Sequence, residues 1–474
     1  MRAQDLAFCT ACELIELYRS KQVSPVEATR ACLGRIARHD PALNAFCLVD
    51  EAAALAAARE SEARWMRGTP LPFLDGLPVS IKDLILTRGW PTLRGSTLIA
   101  RDQPWADDAP VTARLREHGA VLLGKTTTPE MGWKGVTDSA LTGITRNPWN
   151  PAKTPGGSSG GAAVALATGM CALAIGTDGG GSIRIPASFT GVFGLKPNFG
   201  RVAAWPLSPF GTVAHVGPMT RSVADAALMM NAIAQPDARD GFNLPHDPRD
   251  YLDGLDDGIA GLRIAYSPAL GHARVHPEVA QAVQEAVRAF AELGARVTET
   301  DLDLSEAEWI FHMHWWAGAF NLARSFSAEQ IRRLDPGLQR VIDEARATIT
   351  LADYFKAVEA RGAFGIKMNR FFADFDLLVT PQLAVPAFEV GRLDPDGDTA
   401  AGGAAWTRWT PFTYPFNLTG QPACSVPCGF TRDGLPIGLQ IVGPQYGERL
   451  VLRAARAFEH ARPWRDSYRR LGSK

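Results

Sequence analysis

The amino-acid sequence predicts an α/β fold: a single large mixed β-sheet covered by helices on both faces. Three observations predict it. Short apolar, β-branched runs alternate with helical patterns along the chain. Such runs occur towards both ends, "LPVSIK" at 77–82 and "LPIGLQIV" at 435–442, so distant parts of the chain feed one sheet. No low-complexity linker divides the 474 residues, which therefore read as one domain, 1–474.

Residues 1–65 read as helical. "SPVEATRACLGRIARHD" begins with an N-cap, Ser24, and Pro25 in the first turn, then apolar residues at helical spacing. "EAAALAAARESEARWMRG" is an alanine-rich helix. From 66 to 225 the texture changes to Asp-Gly turns, short strands and frequent glycine and proline. The apolar run "GGAAVALATGMCALAIG", broken at Thr168 and Gly169, is too short to span a bilayer and reads as a buried helix entering a buried strand. Residues 226–370 are mostly helical, with strands "GLRIAYS" and "ARVTETD" on either side of the helix "PEVAQAVQEAVRAFAEL". Residues 371–474 complete the core with strands "FDLLVTP" and "DGLPIGLQIVG" and the helix "ERLVLRAARAFEHA". Asp75-Gly76-Leu77-Pro78 and Asp433-Gly434-Leu435-Pro436 are near copies, each a turn feeding a core strand.

Composition narrows the function. With 46% hydrophobic and 21% charged residues the chain is globular, and a net charge of −1 argues against a nucleic-acid surface. The first residues carry Asp5 and lack an apolar signal region, and seven scattered cysteines suggest reduced thiols, so a cytoplasmic protein is expected. Cys9 and Cys12 form a C-x-x-C without a second pair. His312 and His314 form an H-x-H whose members point to different sides of a helix. Neither predicts a metal site, and no cofactor is expected.

Two familiar motifs match in form and fail in context. Gly119 to Thr126, "GAVLLGKT", fits a phosphate loop, but Ala-Val-Leu-Leu is itself a strand and Pro129 interrupts any helix after Lys125. Gly156 to Gly160, "GGSSG", fits a nucleophile elbow centred on Ser158, but "NPWNPAKTP" before it cannot be an interior strand. The only histidine beyond residue 314 is His460, inside a helical pattern.

A third constellation holds together. Lys82 ends the core strand "LPVSIK", where burial of a lysine demands a reason. "TPGGSSGG" (154–161) and "GTDGGGSIRIP" (176–186) add two Gly-flanked serines, and no usable histidine accompanies them. Consecutive glycines let backbone N–H groups gather around an anion or a transient oxyanion. A lysine and two serines suit amide hydrolysis by a Ser-Ser-Lys triad.

At these residues the sequence resembles the amidase signature family, through Gly76–Asp83, "VLLGKTTTPEMG", "NPWNP", "TPGGSSGGAAVALATG", "GTDGGGSIRIPASFTGVFGLKP", "NLTGQPACSVPCGF" and "DGLPIGLQIVGP". The resemblance implies that Lys82 is the catalytic lysine, Ser182 the nucleophile and Ser158 the bridging serine, reached through a cis peptide bond. It implies an oxyanion hole from the N–H groups of Gly179, Gly180, Gly181 and Ser182. Gly179 departs from the pattern, since family members usually carry a side chain there; the departure is harmless where only the backbone N–H matters, though a looser loop is also expected. Ser159 is expected to bond near Lys82, and Asp178 and Arg184 to pair as supporting residues.

The resemblance leaves the substrate open between a stand-alone hydrolase of anilides, aliphatic oligoamides, esters or carbamates, an amidotransferase subunit that releases ammonia from glutamine, and a non-catalytic paralogue. The residue after the motif arginine is typically Gln in that subunit; here it is Ile185, which favours the hydrolase. Aromatic runs "HWWAGAF" (314–320) and "WTRWTPFTYPF" (406–416), with Met131 and Trp133, are candidate pocket walls. The expected partner is a small-molecule amide, with no nucleic acid or membrane, on a monomer or homodimer.

Overall fold

The computed structural model describes residues 6–397 and 403–472. Its strands are β1 (Phe46–Val49), β2 (Pro78–Lys82), β3 (Val121–Thr126), β4 (Asp138–Ser139), β5 (Gly143–Ile144), β6 (Leu173–Asp178), β7 (Phe193–Lys196), β8 (His215–Thr220), β9 (Arg263–Tyr266), β10 (Arg296–Glu299), β11 (Leu377–Pro381), β12 (Ala423–Phe430) and β13 (Pro436–Val442). Among the described residues eleven of these form one mixed sheet in the order β1-β3-β2-β6-β8-β7-β12-β13-β11-β9-β10, while β4 and β5 make a small separate ribbon. β2 runs parallel to both β3 and β6. The β6–β8 and β12–β13 pairs are antiparallel. Strands from both ends of the chain thus meet in one sheet, and both Asp-Gly turns feed strands, β2 and β13, as expected.

The helices that matter here are α1 (Pro25–Leu43), α2 (Glu51–Arg67), α3 (Gly160–Ala167), α4 (Arg184–Thr190), α5 (Pro277–Glu292), α6 (Glu306–Ala323), α7 (Pro336–Thr348), α8 (Leu351–Asp374) and α9 (Glu448–Ala461). Ser24 caps α1 in a reciprocal box with Glu27, with Pro25 in the first turn. α3 is buried along its whole length, which its lack of any charged side chain permits. Two apolar layers flank the sheet. One gathers α1, α3, α5 and α9 against Ile81, Ile175 and Leu439. The other gathers α6, α7 and α8 with Trp133, Phe189, Trp406 and Phe412.

The amino-terminal part differs from the all-helical expectation. Phe46–Val49 is an edge strand paired antiparallel with β3, through a register shift between Phe46 and Leu48. Four apolar residues between two strong helical patterns, closed by the α2 N-cap Asp50, are too few to show a period of two.

Candidate active site

Lys82 closes β2, and the strand alternation puts it on the same face as Ser80 and opposite Ile81. It lies at the carboxyl end of the parallel β2–β6 pair, where open α/β sheets place their sites. Its side chain is fully buried, yet its Nζ lies 2.7 Å from Ser158 Oγ, 2.9 Å from Ser159 Oγ and 2.8 Å from Thr177 Oγ1. Burial drives its pKa well below the ordinary lysine value, only partly opposed by the charge of Asp178. No carboxylate pairs with it among the described residues. Thr177 is a member that sequence reasoning missed; the signal was its place one residue before Asp178 on β6, which turns the two side chains to opposite faces.

The segment 154–161 loops over this amine before α3 begins. The Gly157–Ser158 peptide bond is cis. Thr137 Oγ1 donates to Gly156 O (2.8 Å) and accepts from the Gly160 N–H (3.2 Å), fixing both sides of the turn. The Ser159 N–H donates to Ser182 O at 3.1 Å, tying the two serine loops together. Ser159 Oγ donates to Thr177 O (3.1 Å), so towards Lys82 it acts as acceptor. Between the hydroxyls of Ser158 and Ser182 there is no hydrogen bond among the described residues.

Asp178 organises the turn that carries Ser182. Its carboxylate accepts from the Gly181 N–H (2.7 Å), the Ile183 N–H (3.2 Å), Arg184 Nε and Nη2 (2.9 and 3.0 Å) and Asn417 Nδ2 (2.8 Å). Burial alone would raise this carboxyl's pKa; the Arg184 guanidinium reverses that and holds it well below the usual range. Arg184 in turn reaches Thr413 O (3.0 Å), Gln440 Oε1 (2.7 Å) and Asn417 Oδ1 (2.7 Å), so every limb of the fork is satisfied. Ser182, 6% exposed, stands just beyond this network and faces a cavity.

One feature of the glycine run corrects the sequence reading, and a second adds to it. The Gly181 N–H, expected in an oxyanion hole, is already engaged by Asp178 at 2.7 Å. At Gly179 a Cβ would lie 2.9 Å from Trp315 Cζ3, because the indole of α6 fills the room that a side chain would take. Gly181 has φ 123°, a conformation that favours glycine.

The amidase family pattern matches residues 27–452. The chain belongs to the amidase family. It is 37% identical to the acylamidase of Rhodococcus erythropolis, over 98% of both chains. It is also 37% identical to a glutamyl-tRNA(Gln) amidotransferase subunit of Myxococcus xanthus, covering 95% of this chain and 96% of that one. Among solved structures, a bacterial aryl acylamidase of the amidase signature enzymes superposes with a TM-score of 0.90 at 31% identity, covering 98% of this chain and 99% of that one. The protein is therefore an amidase, an enzyme acting on C–N amide bonds.

In this amidase the cavity at Ser182 has a volume of about 630 Å³, within the range of small-molecule sites. Met131 lines it; Trp133 does not. Met131 takes φ 54°, which turns the chain sharply, and Trp133 packs away from the cavity against Gly337 at the start of α7. Of the two aromatic runs, Trp315 reaches the cavity, stacked on Phe210 with ring centroids 4.0 Å apart. Trp406 stands behind it, 5.5 Å from the Trp315 ring centroid. Much of the wall comes from residues 198–216, which sequence reasoning did not single out.

One histidine does line the amidase cavity. His215 Nδ1 lies 2.9 Å from Val213 O and 3.2 Å from Asp178 O, so that nitrogen carries the proton. Burial lowers its pKa well below the ordinary value. The other motif histidines are elsewhere: His312 Nε2 bonds Thr407 Oγ1 at 2.8 Å, and exposed His460 meets Asp256 at 3.1 Å. Lys125, of the phosphate-loop match, is buried on Ile85 O and Thr92 Oγ1, both at 2.7 Å. Among the described residues no helix is long and apolar enough to cross a membrane.

Proposed function

We propose that the protein is a stand-alone hydrolase of small amides with an apolar acyl part, working through an acyl-enzyme on Ser182. The observation that carries this reading is the buried, carboxylate-free amine of Lys82 at 2.7 Å from Ser158. A neutral amine has two N–H donors and one lone pair. Ser159 takes one donor, because its own proton is committed to Thr177 O. If Thr177 takes the other, Ser158 must donate its proton to the lone pair, and its oxygen becomes free to accept one from Ser182.

Lys82 accepts the Ser158 proton while Ser158 accepts the Ser182 proton, and Ser182 Oγ bonds to the substrate carbonyl carbon. The oxyanion is met by the N–H groups of Gly179, Gly180 and Ser182. The proton held on Lys82 returns through Ser158 to the amine nitrogen, and the C–N bond breaks. Water, deprotonated along the same route, then attacks the acyl-enzyme and releases the acid. The Ser158–Ser182 contact tightens with substrate bound, as catalytic hydrogen bonds do in many ligand-free sites.

The cavity wall favours an apolar acyl group, since Val202, Phe210 and Trp315 contribute to it. A second reading, an amidotransferase component dependent on partners, draws on the equal identity to the Myxococcus xanthus protein. One experiment addresses both. The purified chain alone is expected to turn over acyl anilides, and a fluorophosphonate probe to label Ser182 stoichiometrically and stop turnover. Labelling of Ser158 instead contradicts the assignment, and turnover of glutamine only with added partners supports the second reading.

A further inference from the structure

The cavity has one charge that this mechanism does not use. Arg94 lies in its wall with Leu84, Ile85, Val111 and Met131, among apolar surface. Its guanidinium makes no hydrogen bond or ion pair among the described residues. The carboxylate that reaches it electrostatically is Asp83, which Lys125 Nζ already holds at 3.4 Å. Asp83 is thus paired with Lys125, and the Arg94 guanidinium has no carboxylate of its own among the described residues. Of the other charged residues in the wall, Asp240 accepts the N–H groups of Ala204 (2.9 Å) and Phe242 (2.8 Å), and Arg324 is exposed. Burial presses the Arg94 pKa down, as expected of a cation lacking a partner. The residue also adopts φ 55°, a region that glycine enters more readily, so the side chain is retained at a backbone cost.

The place of Arg94 relative to the triad says which half of a substrate it meets. Its carbonyl accepts the Met131 N–H at 2.8 Å, and the next residue, Gly132, faces Ser158, whose Oγ lies 3.4 Å from the position of a Gly132 Cβ. Arg94 is therefore linked to Ser158 through Met131 and Gly132, two residues of one wall. Resting on the relay proposed above, the leaving amine takes its proton from Ser158 and so departs on the Arg94 side.

We propose that Arg94 is a specificity residue that binds a carboxylate carried on the amine half of the substrate, so that the preferred substrates are N-acyl amino acids or N-acyl aminobenzoates. A guanidinium fork matches a carboxylate with two parallel N–H···O bonds, and a hydrogen bond to a charged group in a partly desolvated site gives about a tenfold to hundredfold discrimination.

The test compares 4-(butyrylamino)benzoate with butyranilide, and adds 4-carboxybutyryl anilide, in which the carboxylate sits on the acyl half. Wild type is expected to favour the aminobenzoate over butyranilide in kcat/KM by about tenfold or more. Arg94→Met should bring that ratio close to one, and Arg94→Lys, which keeps the charge without the fork, should leave an intermediate ratio. A wild-type ratio near one, a preference for the acyl-side carboxylate, or a ratio unchanged in both variants overturns the proposal. Calorimetric binding of the aminobenzoate and the anilide to Ser182→Ala gives the same comparison without turnover. It separates a failure of Arg94 from a failure of the triad: lack of hydrolysis of every amide with intact selective binding contradicts the triad alone.

Discussion

The floor of the site and its walls are built in opposite ways. Beneath Ser182, Asp178 and Arg184 are fully buried, with partners on three chain segments, 181–183, 413–417 and the strand residue Gln440, so the turn that carries Ser182 is set in a closed polar network. The walls are looser: side chains from 84–111, 198–216 and 315–325, many of them apolar, with the Arg94 guanidinium left without a hydrogen bond among the described residues. The difference teaches where constraint lies. A saturated network tolerates few substitutions because each removal leaves a buried charge, whereas a wall of apolar residues can change shape, and so substrate, at modest cost.

The sharpest way to break this comparison is to cut the floor. Arg184→Met leaves the Asp178 carboxylate buried without its cation and is expected to cost about 3–5 kcal/mol. Chemical denaturation should show a lower midpoint, with inactivation to match. A loss no greater than that of Phe210→Leu in the wall would mean the two regions are equally tolerant.

A smaller effect is expected where floor and wall touch. Gly179→Ala places a methyl 2.9 Å from Trp315 Cζ3, and Trp315→Leu opens that space. Each single change should lower kcat/KM, and the double variant should lose less than their sum, with a coupling of about 0.5–3 kcal/mol. Additive losses would show that the glycine is not there to seat the indole.

The mildest probe is pH. In the proposed relay Lys82 acts in its neutral form, and burial lowers its pKa, so kcat/KM should rise with pH while the lysine is charged and flatten once it is neutral. The plateau is expected to begin well below the ordinary lysine value of 10.5. A rate that falls as pH rises through that limb would assign the active form to charged Lys82.

The floor was largely legible in the sequence because its chemistry is written in short contiguous segments. Lys82 ends a strand recognisable from "LPVSIK", and the two serines sit in the glycine-flanked segments "TPGGSSGG" and "GTDGGGSIRIP". What hid there depended on backbone detail: the engagement of the Gly181 N–H by Asp178, and Thr177 turning towards Lys82 by strand alternation. The walls were mostly illegible. Met131 and Trp133 look equivalent two residues apart, and the turn made by the positive φ of Met131 and Gly132 separates them, Met131 at the cavity and Trp133 in the core. Arg94 and residues 198–216 reach the cavity by tertiary packing, which no local pattern records. The edge strand β1 was masked by the helices on either side of it.

The relay through Lys82 is the centre of the account, and the leaving group tests it most directly. An amine cannot depart as its anion and needs a proton, which in the proposed relay Lys82 returns through Ser158, whereas p-nitrophenoxide leaves without one. The measurement is kcat/KM for an anilide and a p-nitrophenyl ester with the same acyl group, in wild type and in Lys82→Ala. The account predicts that the substitution depresses anilide hydrolysis by a further ~10²-fold relative to the ester. Equal losses on the two substrates would contradict it, because the amine would then be receiving its proton from a group other than Lys82.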